Sequence, residues 1–223
     1  MWGLCKMWFK KFKHGKNLKI VDKKSIFIDE TVVVGENVTI YENNRIEGNT
    51  VIGDNVVIKP GCYIIDCVIN DNSIINKSQC ESATVGKGCE VGPFARLRPN
   101  AKLGENVKVG NFVEIKNANV GDKTKVSHLA YVGDADVGAN CNIGCGAIFV
   151  NYNGRSKNRT KVGDNCFVGS NCNIIAPVSI ENNTYICAGT TITEDLKEDD
   201  FVIGRVRQVV KENRAHEYLK EIK

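Results

Sequence analysis

Apolar residues recur at every sixth position along most of this chain, and that period restricts the fold more than any other property of the sequence. Val85, Val91, Leu97, Leu103, Val109 and Ile115 step by six; after a five-residue step come Val120, Val126 and Val132, and after another Val137, Ile143 and Phe149. Val162, Val168, Ile174, Ile180, Ile186 and Ile192 form a further train, and Val34, Ile40, Ile46, Ile52, Ile58 and Ile64 an earlier one. Six residues of α-helix turn through roughly 600° and scatter such positions around the axis, whereas six residues of strand return the side chain to the same face. The period therefore predicts strands. Between Ile64 and Val85 the register is ragged and leaves strand boundaries open.

Two other slots repeat with the apolar one. Glycine often follows it, as at Gly35, Gly53, Gly104, Gly144 and Gly169, where a tight bend would suit it. The fourth place after it takes a small or β-branched residue, as at Ala95, Ala101, Val107, Val113, Val178 and Thr190. Together they read as [LIV]-G-x-x-[small]-x, the hexapeptide signature of an all-β fold, the parallel β-helix. Three hexads per turn make a triangular coil of roughly 18 residues, stacked at ~4.8 Å, so Val34 to Lys197 amounts to about nine coils. Backbone hydrogen bonds run from coil to coil, and the two ends need covers. The division expected is a basic aromatic cap or linker over 1–16, a β-helix over 17–205 interrupted by an insertion at 150–161, and a capping tail over 206–223, polar and expected to be helical.

Cys62, Cys89, Cys141, Cys166 and Cys172 occupy the small slot, so they read as compact buried residues in a reducing, cytoplasmic setting rather than as a disulfide framework. No CxxC pair offers zinc the usual spacing. A net charge of +4, carried by scattered lysines, gives nucleic-acid binding little support and leaves anionic small molecules as partners. The opening stretch MWGLCKMWFKKFKHGK interleaves aromatics with lysines; a cap packed on the first coils is the reading preferred to membrane association through a surface helix. No stretch approaches the ~18 apolar residues of a transmembrane helix.

The period breaks between Phe149 and Val162 at VNYNGRSKNRTK, where Asn151, Tyr152, Lys157 and Arg159 concentrate amides and cations suited to phosphate or pantetheine. Loops expelled from a regular scaffold often carry function, though a surface insertion without a role is the plain alternative. Arg96 and Arg98 lie in the most regular train and could present planar forks to a phosphate or serve as solvated surface charge. His128 follows an inward position by two residues and should face outward, with Tyr131 beyond it and Glu114 and Lys116 on the neighbouring coil.

With these residues in view, the segments GPFARLRPNAKLGENVKVGNFVEIKNANVGDKTKVSHLAYVGDADVGANCNIGCG, VNYNG and KVGDNCFVGSNCNIIAPVSI closely resemble the acetyltransferase half of the bifunctional N-acetylglucosamine-1-phosphate uridyltransferase and glucosamine-1-phosphate N-acetyltransferase family. The likeness extends, more weakly, from about His14 to about Gln208. It implies a left-handed parallel β-helix assembled as a homotrimer, with sites between subunits, that acetylates glucosamine 1-phosphate from acetyl-CoA and needs no metal. Carried over by motif, Arg98, Lys116, Tyr131 and Asn142 hold the sugar phosphate, and Lys157 is counted with them. His128 is the general base, and Glu114 is expected to orient it from the adjacent coil. Cys145, Asn151, Tyr152, Ser170, Ala188 and Arg205 line the acetyl-CoA site. Two positions depart from the family pattern: Cys145 stands where alanine is common, and Asn153 where aspartate is. The glycine-rich G-x-G-T-R-M loop of the uridyltransferase half is absent from this sequence, so a short acetyltransferase without uridyltransferase activity is expected. Rival readings are an acetyltransferase for another amino sugar or nucleotide sugar, and a non-catalytic trimeric scaffold.

Overall fold

Strands of two to four residues, three to a turn, run from Lys13–His14 to Phe201–Val202 and build three parallel sheets of ten, eleven and ten strands. The computed structural model describes residues 12–219. Its first face starts at Lys13–His14, its second at Lys19–Ile20 and its third at Phe27–Ile28, and each strand pairs with the strand one coil on. The β-helix expected from the hexads is therefore present, but with about eleven turns rather than nine. The extra turns come from the ends: Lys13–His14 already pairs with Val33–Val34, and Phe201–Val202 closes the second face against Tyr185–Ile186.

Inward positions stack like on like. Ile40, Ile58 and Ile75 follow one another on the second face and Ile46 and Ile64 on the third, all fully buried. Each such side chain contributes on the order of 1.5–3 kcal/mol of hydrophobic stabilisation. The ragged stretch is a shortening of the coil. Ile64 pairs with Cys80, Ile69 with Val85 and Ile75 with Val91, each sixteen residues on. Cys80 also stands where Leu, Ile or Val stands elsewhere, which hid the repeat.

The recurrent glycine acts differently from the bend expected of it. The left-handed corner conformation falls to asparagine more often than to any other residue, as at Asn37, Asn55, Asn106, Asn140 and Asn165 with φ of 55–58°; asparagine tolerates that region better than most residues. Gly144 instead lies against the backbone of the next coil, where a Cβ would come within 2.6 Å of the Gly169 carbonyl carbon. Close stacking of coils at that corner requires the missing side chain.

Among the described residues the C-terminal tail does not form the expected helix. Among the described residues it holds one 3-10 turn, Ala215–Glu217, and leaves Val206, Val209, Val210 and Leu219 exposed. A short segment that buries no apolar face has little to hold it helical. The aromatic opening segment lies outside the described residues up to position 11; Phe12 is buried in the core cluster. No described helix is long and apolar enough to cross a membrane.

Candidate functional site

On the third face, strands Arg96–Leu97, Glu114–Lys116 and Tyr131–Gly133 lie side by side, with Arg96 opposite Glu114, Glu114 opposite Tyr131, and Lys116 opposite Gly133. Strand alternation turns Leu97, Ile115 and Val132 into the core and their neighbours outward. Arg98 donates to Glu114 Oε1 at 2.8 Å. The Tyr131 ring folds along its strand over Gly133, in space that a Cβ at that glycine would occupy.

At the end of these strands the chain turns a corner where Asn117, Asp134 and Asn151 stack on successive coils. Asp134 is buried and accepts from Asn117 Nδ2 at 2.5 Å and from Asn151 Nδ2, which also reaches the Tyr131 hydroxyl at 3.3 Å. Burial pushes the Asp134 carboxyl up, but the two amide donors, with Lys157 and Lys116 behind them, outweigh it and hold it below its ordinary 3.8. Lys116 is shifted down, first because the Lys157 side chain is within hydrogen-bonding reach, then by partial desolvation and by the charges of Lys157 and Arg98. Arg98, Lys116 and Lys157 thus form one cationic cluster, with Asp134 and Glu114 as its counter-charges.

The insertion that supplies Lys157 is an ordered hairpin. Tyr152 and Lys157 form an antiparallel bridge, Asn158 N donates to Asn151 O at 2.7 Å, and Asn153 Oδ1 accepts from the amides of Arg155 and Ser156 across the tip. Its base is fixed by Arg159, whose Nε and Nη2 both contact the Asp136 carboxylate at 2.6 Å. That pairing lowers Asp136 and raises Arg159 from their ordinary values.

His128 sits at the corner between the second and third faces, exposed and opposite Asn111 of the preceding coil. Its Nδ1 donates to Asn111 Oδ1 at 2.7 Å, which leaves Nε2 with the lone pair directed away from the protein partner. The expectation that Glu114 orients His128 does not hold within this chain: Glu114 belongs to the third face and is paired with Arg98. The coil here is seventeen residues long, so the residue stacked beneath His128 is Asn111. Counting back one coil along the sequence would have found it.

The same corner continues upward through Cys145, Ser170 and Ala188. Gly146 N donates to Leu129 O, Asn171 N to Cys145 O and Gly189 N to Ser170 O, each at 2.8 Å, and Arg205 Nη1 reaches Ala188 O at 3.1 Å. Small side chains and tightly stacked glycine backbone leave a track along this edge that begins beside His128 and ends at a guanidinium. Four of the residues expected at acetyl-CoA, Cys145, Ser170, Ala188 and Arg205, lie on it. The other two do not: Asn151 is committed to Asp134, and Tyr152 is on the hairpin with its hydroxyl on Gly154 O. Asn142 is likewise away from Tyr131, on the second face between Lys125 and Phe167.

A family model for the bacterial transferase hexapeptide (six repeats) matches residues 82–117 and 159–194, and one for the GMPPB C-terminal domain matches residues 28–98. Bifunctional protein GlmU of Acetivibrio thermocellus is 56% identical over 103 residues, 46% of this chain and 22% of that protein. Nearly half of the chain is GlmU-like. GlmU of Clostridium kluyveri is 53% identical over the same length, 46% of this chain and 23% of its own. The chain thus spans less than a quarter of the length of these GlmU proteins. Among solved structures, a mutant GDP-perosamine N-acetyltransferase from Caulobacter crescentus, in complex with CoA and GDP-perosamine, is 28% identical over 49% of this chain and 51% of its own, with a TM-score of 0.43. The resemblance read from the motifs is therefore to hexapeptide-repeat transferases and to GlmU in particular.

Proposed function

We propose that this chain acetylates the amino group of glucosamine 1-phosphate from acetyl-CoA, giving N-acetylglucosamine 1-phosphate and CoA. The observation that carries the reading is the Arg98–Lys116–Lys157 cluster, in which Lys157 and Arg98 lie near enough to Lys116 to lower its amine, on a face that adjoins the histidine corner of the GlmU-like motif. A phosphate monoester dianion is the ligand that such a cluster suits, with Arg98 offering a fork and the lysines point charges.

In this reading the amine attacks the thioester carbonyl while His128 Nε2 accepts the proton it loses; the C–N bond forms, the C–S bond breaks, and the sulfur leaves with the bond's electrons. Asn111 fixes the imidazole so that Nδ1 keeps its proton and Nε2 is the base. Transfer is direct, and binding supplies the proximity; Cys145 lies on the track as a small side chain, without an acyl-enzyme. The track from Cys145 to Arg205 takes the pantetheine, and Arg205 meets the anionic end of CoA.

One chain leaves Asn142, Asn151 and Tyr152 apart from the partners expected for them, which supports a homotrimer with sites between subunits. Uridylation of the product is assigned to residues outside this sequence. Steady-state rates with glucosamine 1-phosphate, glucosamine 6-phosphate and a nucleotide-linked glucosamine test the substrate. Preference for the 1-phosphate supports the reading, and preference for the nucleotide sugar replaces it with an acetyltransferase for that class.

A further inference from the structure

Arg159 is the least expendable residue of the insertion by contacts, yet nothing in the proposed chemistry uses it. Its guanidinium spans two coils. Nε and Nη2 take both oxygens of Asp136, Nη2 also donates to Ala135 O at 2.9 Å, and Nη1 donates to Asn117 O at 2.9 Å. The acceptors surround the cationic cluster. Asn117 follows Lys116 in the chain and holds Asp134 through its side chain, while Ala135 and Asp136 follow Asp134. Two residues before Arg159, Lys157 is brought against Lys116 although both carry positive charge.

Neighbouring like charges repel, and the hairpin tip is exposed, so the hairpin would relax by swinging Lys157 outward unless its base were fixed. Thr160 N bonds to Asp134 O and Asn158 N to Asn151 O, but neither of these backbone contacts reaches the coil that carries Lys116, as Arg159 does through Asn117 O. The bidentate contact to one carboxylate and the reach to two carbonyls on different coils resist that outward swing. They need a planar multi-donor head, which lysine lacks.

We infer that Arg159 is a positioning residue for the anion pocket: its clamp on Asp136, Ala135 and Asn117 holds the hairpin so that Lys157 faces Lys116, arranged in advance for a phosphate monoester. The inference rests on reading the Arg98–Lys116–Lys157 cluster as the phosphate site. Arranging the cations before the ligand arrives moves their mutual repulsion into the folded chain, so that the incoming dianion relieves it and gains affinity.

The test uses Arg159→Gln, Arg159→Lys and Lys157→Met in the whole chain, each compared with wild type for binding of glucosamine 1-phosphate and of CoA by calorimetry. Arg159→Gln is expected to weaken glucosamine 1-phosphate roughly tenfold, as expected for a coupled neighbour, to leave CoA binding unchanged, and to add little when Lys157 is already Met. Arg159→Lys should fall between. Equal losses for both ligands, or an undiminished loss in the Lys157→Met background, would make Arg159 a structural residue only and overturn the inference. A ligand-independent readout separates it from the substrate reading: the Lys116 amine, followed by NMR titration, should move back toward its ordinary value in Arg159→Gln. If wild type binds no glucosamine 1-phosphate, the phosphate reading fails, and the inference fails with it as a statement about anion binding. An unchanged Lys116 titration would overturn the clamp itself.

Discussion

His128 Nδ1 and Asn111 Oδ1 are 2.7 Å apart across adjacent coils, so within this chain the orientation of the exposed His128 imidazole is set by an amide and not by a carboxylate. An amide oxygen fixes the tautomer without adding charge. Asn111→Leu is expected to lower kcat by about tenfold, the worth of one hydrogen bond on the reaction barrier, with the KM for acetyl-CoA unchanged. The pH dependence of kcat/KM, measured for wild type and variant, checks it. An identical profile and rate would remove Asn111 from the account.

Removing a cation from the cluster is expected to act on the sugar phosphate alone. Lys116→Met should raise its KM by roughly 10- to 100-fold, the range for a charge-assisted hydrogen bond. It should also reduce the salt dependence of binding. Kinetics at two ionic strengths would show both effects.

The shift in Lys116 gives a signed proton prediction. Its folded value is lowered, chiefly by Lys157, so the charged amine is disfavoured in the free site and the site begins to lose this proton at lower pH than an ordinary lysine would. A bound dianion favours the charged form and should draw the proton back. Calorimetry in buffers of different ionisation enthalpy is expected to show net proton uptake on binding in the alkaline range, fading toward neutrality.

Asp134 and Asp136 have the opposite sign. Both are held below the ordinary 3.8, Asp134 by the amides and lysines that outweigh its burial and Asp136 first by Arg159. Their contribution to stability is therefore complete above that value and is lost as pH falls through the lowered folded values. Hydrogen exchange of the Asn158 amide, which bonds Asn151 within the hairpin, should accelerate in acid before exchange in the central strands does.

Among the described residues Phe149 is the bulkiest fully buried side chain, and it stacks between the coils of Val132 and Ile174 just before the insertion. Phe149→Ala is expected to cost about 3–5 kcal/mol, seen as a lowered denaturation midpoint.

The solenoid was legible because each hexad position has one physical demand, an inward Ile, Leu or Val, and the chain repeats it. The demand failed as a signal where Cys80 met it unannounced and where coils shortened to sixteen residues between Ile64 and Val91. Motif resemblance marked His128, Arg98 and Lys116 because their residue types and surroundings are distinctive. Asn111 and Asp134 were passed over as site residues, and Arg159 was marked only as a cation suited to phosphate or pantetheine, because their roles depend on which residue lies one coil away, and coil length varies along the chain. In this region the spacing is seventeen, which aligns Asn111, His128 and Cys145 in one column and Asn117, Asp134 and Asn151 in another. That arithmetic also separates Glu114 from His128.

The central claim is acetyl transfer to glucosamine 1-phosphate with His128 as base. Its most direct measurement is the initial rate of CoA thiol release from acetyl-CoA in the presence of glucosamine 1-phosphate, for wild type and His128→Ala together. The account predicts turnover by wild type and a loss of at least about 100-fold in the variant, the lower end for a positioned general base, with CoA binding retained. Near-normal turnover by His128→Ala, or none by a wild-type protein that binds CoA, would contradict it.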